Sequence, residues 1–321
     1  MGSRDRAETE RRRLLRRRRQ GFLALSAVVV GTILIVVGSL RSGGSSKRSS
    51  PAKATLSQRH RGQARAHRLA HRPLRAPSPT SPGSARVPIL MYHVINPPPA
   101  GAPFPGLYVS ANEFSAQMQA LAHAGYHAVT MDQMLASWRH GTPLPSDKPV
   151  VVSFDNGYQS QYVNALPVLR SLGWVGVENL QLSGLPPSQG GLSQSQVRGL
   201  VSAGWELDTQ GISHADLITL NATQLHEQVA VARTVIQHRY GVPVDWFCYP
   251  SGHYNATVVA AVKNAGYVGS TTVIPGWAGP TSDTYRLPRL RVLSGTGPQA
   301  LLDQIASIRS NGPPPPSYGS N

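Results

Sequence analysis

Three short stretches of the chain carry side chains able to do chemistry. In the run Pro149-Val-Val-Val-Ser-Phe-Asp-Asn-Gly-Tyr158, an apolar strand delivers the carboxylate of Asp155 and the amide of Asn156 to its C-terminal rim, and Gly157 then permits a tight turn. Taken alone, such an Asp serves equally well as the cap of the next helix. In the second stretch, Trp205 to Leu217, another strand runs into a loop with Gln210 and His214 four positions apart. One loop histidine does not make a ligand set. Strand alternation does place Glu206, Asp208 and Gln210 on one face, which makes Asp208 a candidate carboxylate for a cation held with His214. In the third, Trp246 to Asn255, a strand closes in the turn Tyr249-Pro250-Ser251-Gly252, whose backbone N–H groups can face a bound anion.

These stretches must be held by a larger scaffold, and the sequence outlines one. Apolar runs at 87–92, 127–130, 149–154, 174–182, 205–210, 246–250, 268–273 and 287–292 predict strands. Helical patterns separate them near 111–125, 131–138, 158–171, 193–203, 222–240, 254–265 and 297–309. Ser110 and Glu113 have the spacing of a capping box for the first of these helices. Strands alternating with helices predict an α/β fold with a mainly parallel sheet, closed or curled into a barrel, and in such folds the chemistry gathers at the C-terminal ends of the strands. The single cysteine, Cys248, rules out an intrachain disulfide, so the domain must be held by its core.

Charge divides the chain differently. The formal net charge of +16 lies wholly outside the scaffold, in residues 1–20 with nine Arg and residues 41–85 with ten Lys or Arg and no acid. Residues 86–321 are balanced, with twelve basic and twelve acidic side chains, so nucleic acid is not the expected partner. Between the two basic segments, residues 21–40 carry no charge, and at 1.5 Å per residue they span the roughly 30 Å core of a bilayer. They are expected to form an uncleaved transmembrane helix. The dense arginine cluster ahead of it predicts a cytoplasmic N-terminus at 1–20 and a domain on the far side. Residues 41–85 are expected to be a disordered basic linker, 86–309 the folded domain and 310–321 a disordered tail.

Taken in order, Leu90-Met-Tyr-His93, Ser153-Phe-Asp-Asn-Gly-Tyr158, Ser213-His-Ala-Asp-Leu217, Tyr249-Pro-Ser-Gly-His-Tyr-Asn255 and Arg286-Leu-Pro-Arg-Leu-Arg-Val292 resemble the motifs of the NodB-like polysaccharide deacetylases, in the branch whose domain opens with a strand ending Tyr-His. The resemblance covers roughly 86–309. It implies a distorted (β/α) barrel and hydrolysis of the N-acetyl amide of an N-acetylhexosamine polymer, with zinc as the usual metal. By the same resemblance Asp155 is the general base, His93 the acid that protonates the leaving amine, and the turn Tyr249 to Gly252 the place where substrate and oxyanion are held. The implied metal ligands are an Asp after the base and two His four apart, and this chain has Asn156, Gln210 and His214 there. Amide oxygens are poor zinc ligands. An active hydrolase, a catalytically silent glycan-binding module and a structural envelope protein are therefore all consistent with the sequence. The expected target is a cell-envelope polysaccharide or the glycan of peptidoglycan.

Overall fold

The structure is a computed structural model that describes residues 82–183, 185 and 190–319. The expected cytoplasmic segment, membrane helix and nearly all of the basic linker lie outside the described residues. Among the described residues no helix is long and apolar enough to cross a membrane.

Nine strands form one sheet: β1 Val87–Tyr92, β2 Tyr126–Ala128, β3 Lys148–Asn156, β4 Val177–Leu180, β5 Glu206–Thr209, β6 Trp246–Cys248, β7 Gly269–Thr271, β8 Trp277–Ala278 and β9 Leu290–Arg291. The order β7-β6-β5-β4-β3-β1 is parallel throughout, β2 adds to β3 in parallel, and only β8 lies antiparallel, on β1. The two ends of this half-barrel are linked by one segment, in which Leu287 bridges to Thr271 of β7 while Leu290 and Arg291 pair with Leu90 and Met91 of β1. Parallel strands covered on both faces read as continuous apolar runs, and all six residues of β1 are buried.

The helices cover the outside. Phe114, Met118 and Leu121 from helix Ala111–His123 and Leu301 and Ile305 from helix Pro298–Ile308 pack with Leu90, Tyr92, Val152 and Phe154. Trp205 stacks on Phe154 with centroids 4.9 Å apart, so it belongs to the core. Helix starts follow local chemistry: Thr130 with Gln133, Ser193 with Gln196 and Asn221 with Gln224 form reciprocal capping boxes. At Ser110 only half of the expected box forms, since its hydroxyl accepts from the Glu113 N–H but no return bond is made.

Two further expectations are corrected. The helix expected over 158–171 forms over 159–171, but it widens to a π-helix at Gln161–Ala165 before the α-helix Leu166–Ser171, where Pro167 has no N–H to donate to the preceding turn. The tail beyond Ser310, expected to be unstructured, lies against the domain. Tyr318 and Tyr254 exchange backbone hydrogen bonds of 2.9 Å each way, and the Pro315 carbonyl accepts from the Tyr254 hydroxyl at 2.7 Å and from Arg286 at 3.1 Å. Its prolines donate no hydrogen bonds but leave carbonyls free to accept them, and those contacts are made by residues distant in sequence.

Candidate active site

Period-two alternation sends every second residue of each parallel strand into the barrel. On β3 these are Val151, Ser153 and Asp155, and the strand's C-terminal end opens into a cleft of about 540 Å³. His93 follows β1, Gln181 follows β4, Gln210 and His214 follow β5, Ser251 and Gly252 follow β6, and Arg291 closes β9, all on the cleft wall. Three described non-glycine residues have left-handed backbone, Asn156 (φ 79°), His214 (φ 54°) and Ser251 (φ 56°), and all three line this cleft. Such strain is retained where surrounding structure holds it, commonly at functional sites.

Asp155 is buried and fully engaged. Arg289 grips it with two bonds, Nη1 to Oδ1 at 2.7 Å and Nη2 to Oδ2 at 2.9 Å, and Asn179 donates to Oδ1 at 2.9 Å. Arg289 is itself buried and is aimed by its Nε bond to the Thr272 carbonyl and by Cys248, whose sulfur accepts from Nη2 at 3.2 Å. Burial alone would raise the Asp155 pKa, but the guanidinium overrides it and the carboxyl falls to about 2. The His93 Nε2 lies 4.0 Å from Asp155 Oδ2. Burial is the largest influence on that imidazole and, against the pull of Asp155, lowers it to about 4, so it is neutral at pH 7. Gln161 ties the two together, donating to the carbonyls of both His93 and Asp155 at 2.8 Å.

The amides beside them form a network of their own. The Asn156 N–H donates to Gln210 Oε1 at 2.9 Å, the Asn156 side-chain amide donates to Gln181 Oε1 at 3.0 Å, and Gln181 donates onward to the Ser183 carbonyl. His214 stands at the rim with its pKa lowered, first by burial. Tyr249, Ser251 and Gly252 line the cleft, the Tyr249 hydroxyl donating to the Tyr285 carbonyl, whereas Pro250 is buried and does not reach it. Asp208 does not reach the cleft. It sits one step deeper on β5, with Oδ1 accepting from the Trp246 N–H at 3.0 Å, so it is not placed to join His214 around a cation.

Comparison with known proteins agrees with this geometry. Residues 143–270 match the family model for polysaccharide deacetylases. The chain is similar to the polysaccharide deacetylases. A Bacillus subtilis (strain 168) protein named as polysaccharide deacetylase YxkH is 28% identical over 225 residues, covering 70% of this chain and 78% of that protein. The poly-beta-1,6-N-acetyl-D-glucosamine N-deacetylase of Escherichia coli (strain K12) is 42% identical over 57 residues, which is 18% of this chain and 8% of that enzyme. Among solved structures, the Bacillus anthracis polysaccharide deacetylase BA0330 superposes with a TM-score of 0.61 at 27% identity, covering 69% of each chain. The Streptococcus pyogenes deacetylase PplD shares the fold, with a TM-score of 0.63 at 23% identity, over 69% of this chain and 99% of that one.

Deacetylases of this family generally use a divalent metal. The residues of this cleft do not fit one. Among the described residues no three His, Cys, Asp or Glu side chains come together in a metal-holding group. Two of the three implied ligands are neutral amides already bonded within the chain, and the nearest carboxylate, Asp155, has its oxygens taken by Arg289 and Asn179. Zinc favours His, Cys and carboxylate, so this donor set is a weak one.

Asp155, Asn156, Gln210 and His214 stand out by local sequence pattern, whereas several residues bonded around them do not. Arg289, Asn179, Gln161 and Gln181 carried no assigned role, although Arg289 lies inside the Arg286-to-Val292 motif, which is the signal that marks it. No described tryptophan lines the cleft: Trp174 and Trp205 are in the core, and Trp277 packs against that core and donates to the Ile305 carbonyl. The aromatic rings on the cleft wall are Phe104, 69% exposed, Tyr158 and Tyr249.

Proposed function

We propose that the cleft binds an N-acetylhexosamine polymer of the cell envelope and hydrolyses its N-acetyl amide, from a chain anchored by residues 21–40 with its domain outside the membrane. The observation that carries the chemical part is the pairing of Asp155 with His93 across one cleft, with Arg289 locking Asp155 as a carboxylate. The anchoring part rests on the uncharged residues 21–40 and the arginine cluster ahead of them.

The environments of the two groups favour the imidazole as the proton carrier. Asp155, with a bidentate guanidinium and an amide on its oxygens, is a weak base, whereas His93 is neutral and free to accept. In this reading His93 takes the proton of the attacking water as the water adds to the acetamide carbon. Asp155 stabilises the imidazolium that results, and His93 then gives the proton to the leaving amine. The turn at Ser251 and Gly252 faces the developing oxyanion, where one well-placed donor contributes about 2.7–4 kcal/mol. No step passes through a metal.

The test is acetate release from N-acetylglucosamine oligomers by the purified full-length chain, alongside Asp155→Asn and His93→Gln. Acetate from the wild type, lost in both variants, supports the reading. Oligomer binding without acetate from any of the three would leave a glycan-binding domain in its place.

A further inference from the structure

Among the described residues, the cleft wall has two formally charged side chains, Asp155 and Arg291. Their situations differ. Asp155 is balanced by Arg289 and contributes no net charge to a ligand. Arg291 is exposed and stands on β9 level with Met91 of β1 beside His93, and among the described residues its guanidinium makes no ion pair or hydrogen bond. The other acid close to the rim, Asp216, faces His253 at 3.1 Å. The cleft therefore presents one uncompensated guanidinium next to the groups that would act on an acetamide.

An arginine fork matches a carboxylate with two parallel bonds, and such charge-assisted bonds are about twice as strong as neutral ones. A neutral polymer leaves that capacity unused. We propose that Arg291 selects an N-acetylhexosamine polymer that bears a carboxylate, on the acetamido sugar or on its immediate neighbour. This rests on the proposed reading of the cleft and narrows its substrate class. Phe104 and Leu107, on the same wall, flank the site with apolar surface, where a charge pair is screened less than in open water.

The experiment measures affinity of the full-length chain by calorimetry for three oligomers. They are a neutral N-acetylglucosamine oligomer, an alternating N-acetylglucosamine and N-acetylmuramic acid oligomer with free lactyl carboxylates, and the same alternating oligomer with those carboxylates converted to amides. The charged oligomer should bind about tenfold more tightly than its amide. That ratio should collapse towards one in Arg291→Gln and be partly kept in Arg291→Lys, with unchanged thermal unfolding showing that both variants fold. Equal affinity for the charged and amidated forms, or a preference that survives in Arg291→Gln, would overturn the inference. If all three oligomers bind alike and release acetate, the inference fails while the reading of the site stands; if none binds, both fail.

Discussion

Removing the guanidinium of Arg289 should do more damage than any other single loss in the barrel. Its partner Asp155 is buried, the two bonds between them measure 2.7 and 2.9 Å, and no other cation touches that carboxylate. Taking one member from a buried pair strands the other charge, at a cost of about 3–5 kcal/mol. In Arg289→Leu the Asp155 pKa loses its main depressing influence, and burial then drives it up rather than down. The sign of the pH dependence follows. In the wild type the depressed Asp155 pKa stabilises the fold above about pH 4, and this contribution is lost as pH falls towards 2. In the variant the raised pKa means the folded state takes up a proton first, so stability increases as pH falls. The gap between the two proteins, measured by urea unfolding from pH 8 to pH 4, should be widest at pH 8 and narrow steadily. Adding Asp155→Asn to Arg289→Leu should recover part of the loss at pH 8. A cost below about 1 kcal/mol that does not change with pH would refute the view that Arg289 exists to hold Asp155 charged.

Other outcomes are expected from the same structure. Glu206, pushed up to about 7 by burial and by Asp132, and Asp208, raised by burial and by Glu206, favour a protonated state, so stability should fall between about pH 4.5 and 7 as pH rises. Glu206→Gln should flatten that slope in a thermal-unfolding series across the same range. Gly252 has φ 76° and a side chain there would collide with Val273, so Gly252→Ala should lower stability by about 1–3 kcal/mol and impair acetate release, read by unfolding and by assay. Asn156→Asp combined with Gln210→His should rebuild an Asp-His-His set with His214, and the double variant should retain zinc through dialysis where the wild type does not, as read by elemental analysis.

What the sequence made legible follows from how local each signal is. Asp155 was visible because an apolar run ends in Asp-Asn-Gly, and its place at a strand end follows from the run itself. The parallel sheet was visible because its central strands, β1 and most of β3, read as continuous apolar runs. Arg289 was not, because its meaning depends on a partner 134 residues away and on the segment 287–291 spanning from β7 to β1. Asp208 looked available since alternation put it on the face of Gln210, but alternation says nothing of depth, and Asp208 lies a full repeat below the rim. β8 is two residues long, too short for any periodicity to show. The tail looked unstructured by composition, yet its carbonyls meet donors brought to it by the rest of the fold.

In the proposed reading this cleft works on an N-acetyl group with its own side chains and no resident metal. It is tested most directly by acetate release from an N-acetylhexosamine oligomer under a strong chelator, with metal content measured on the same sample. Acetate release should be unchanged by the chelator and abolished by Asp155→Asn. Release that stops with the chelator and returns with zinc would contradict it, because Asn156, Gln210 and His214 would then be holding an ion that their chemistry argues against.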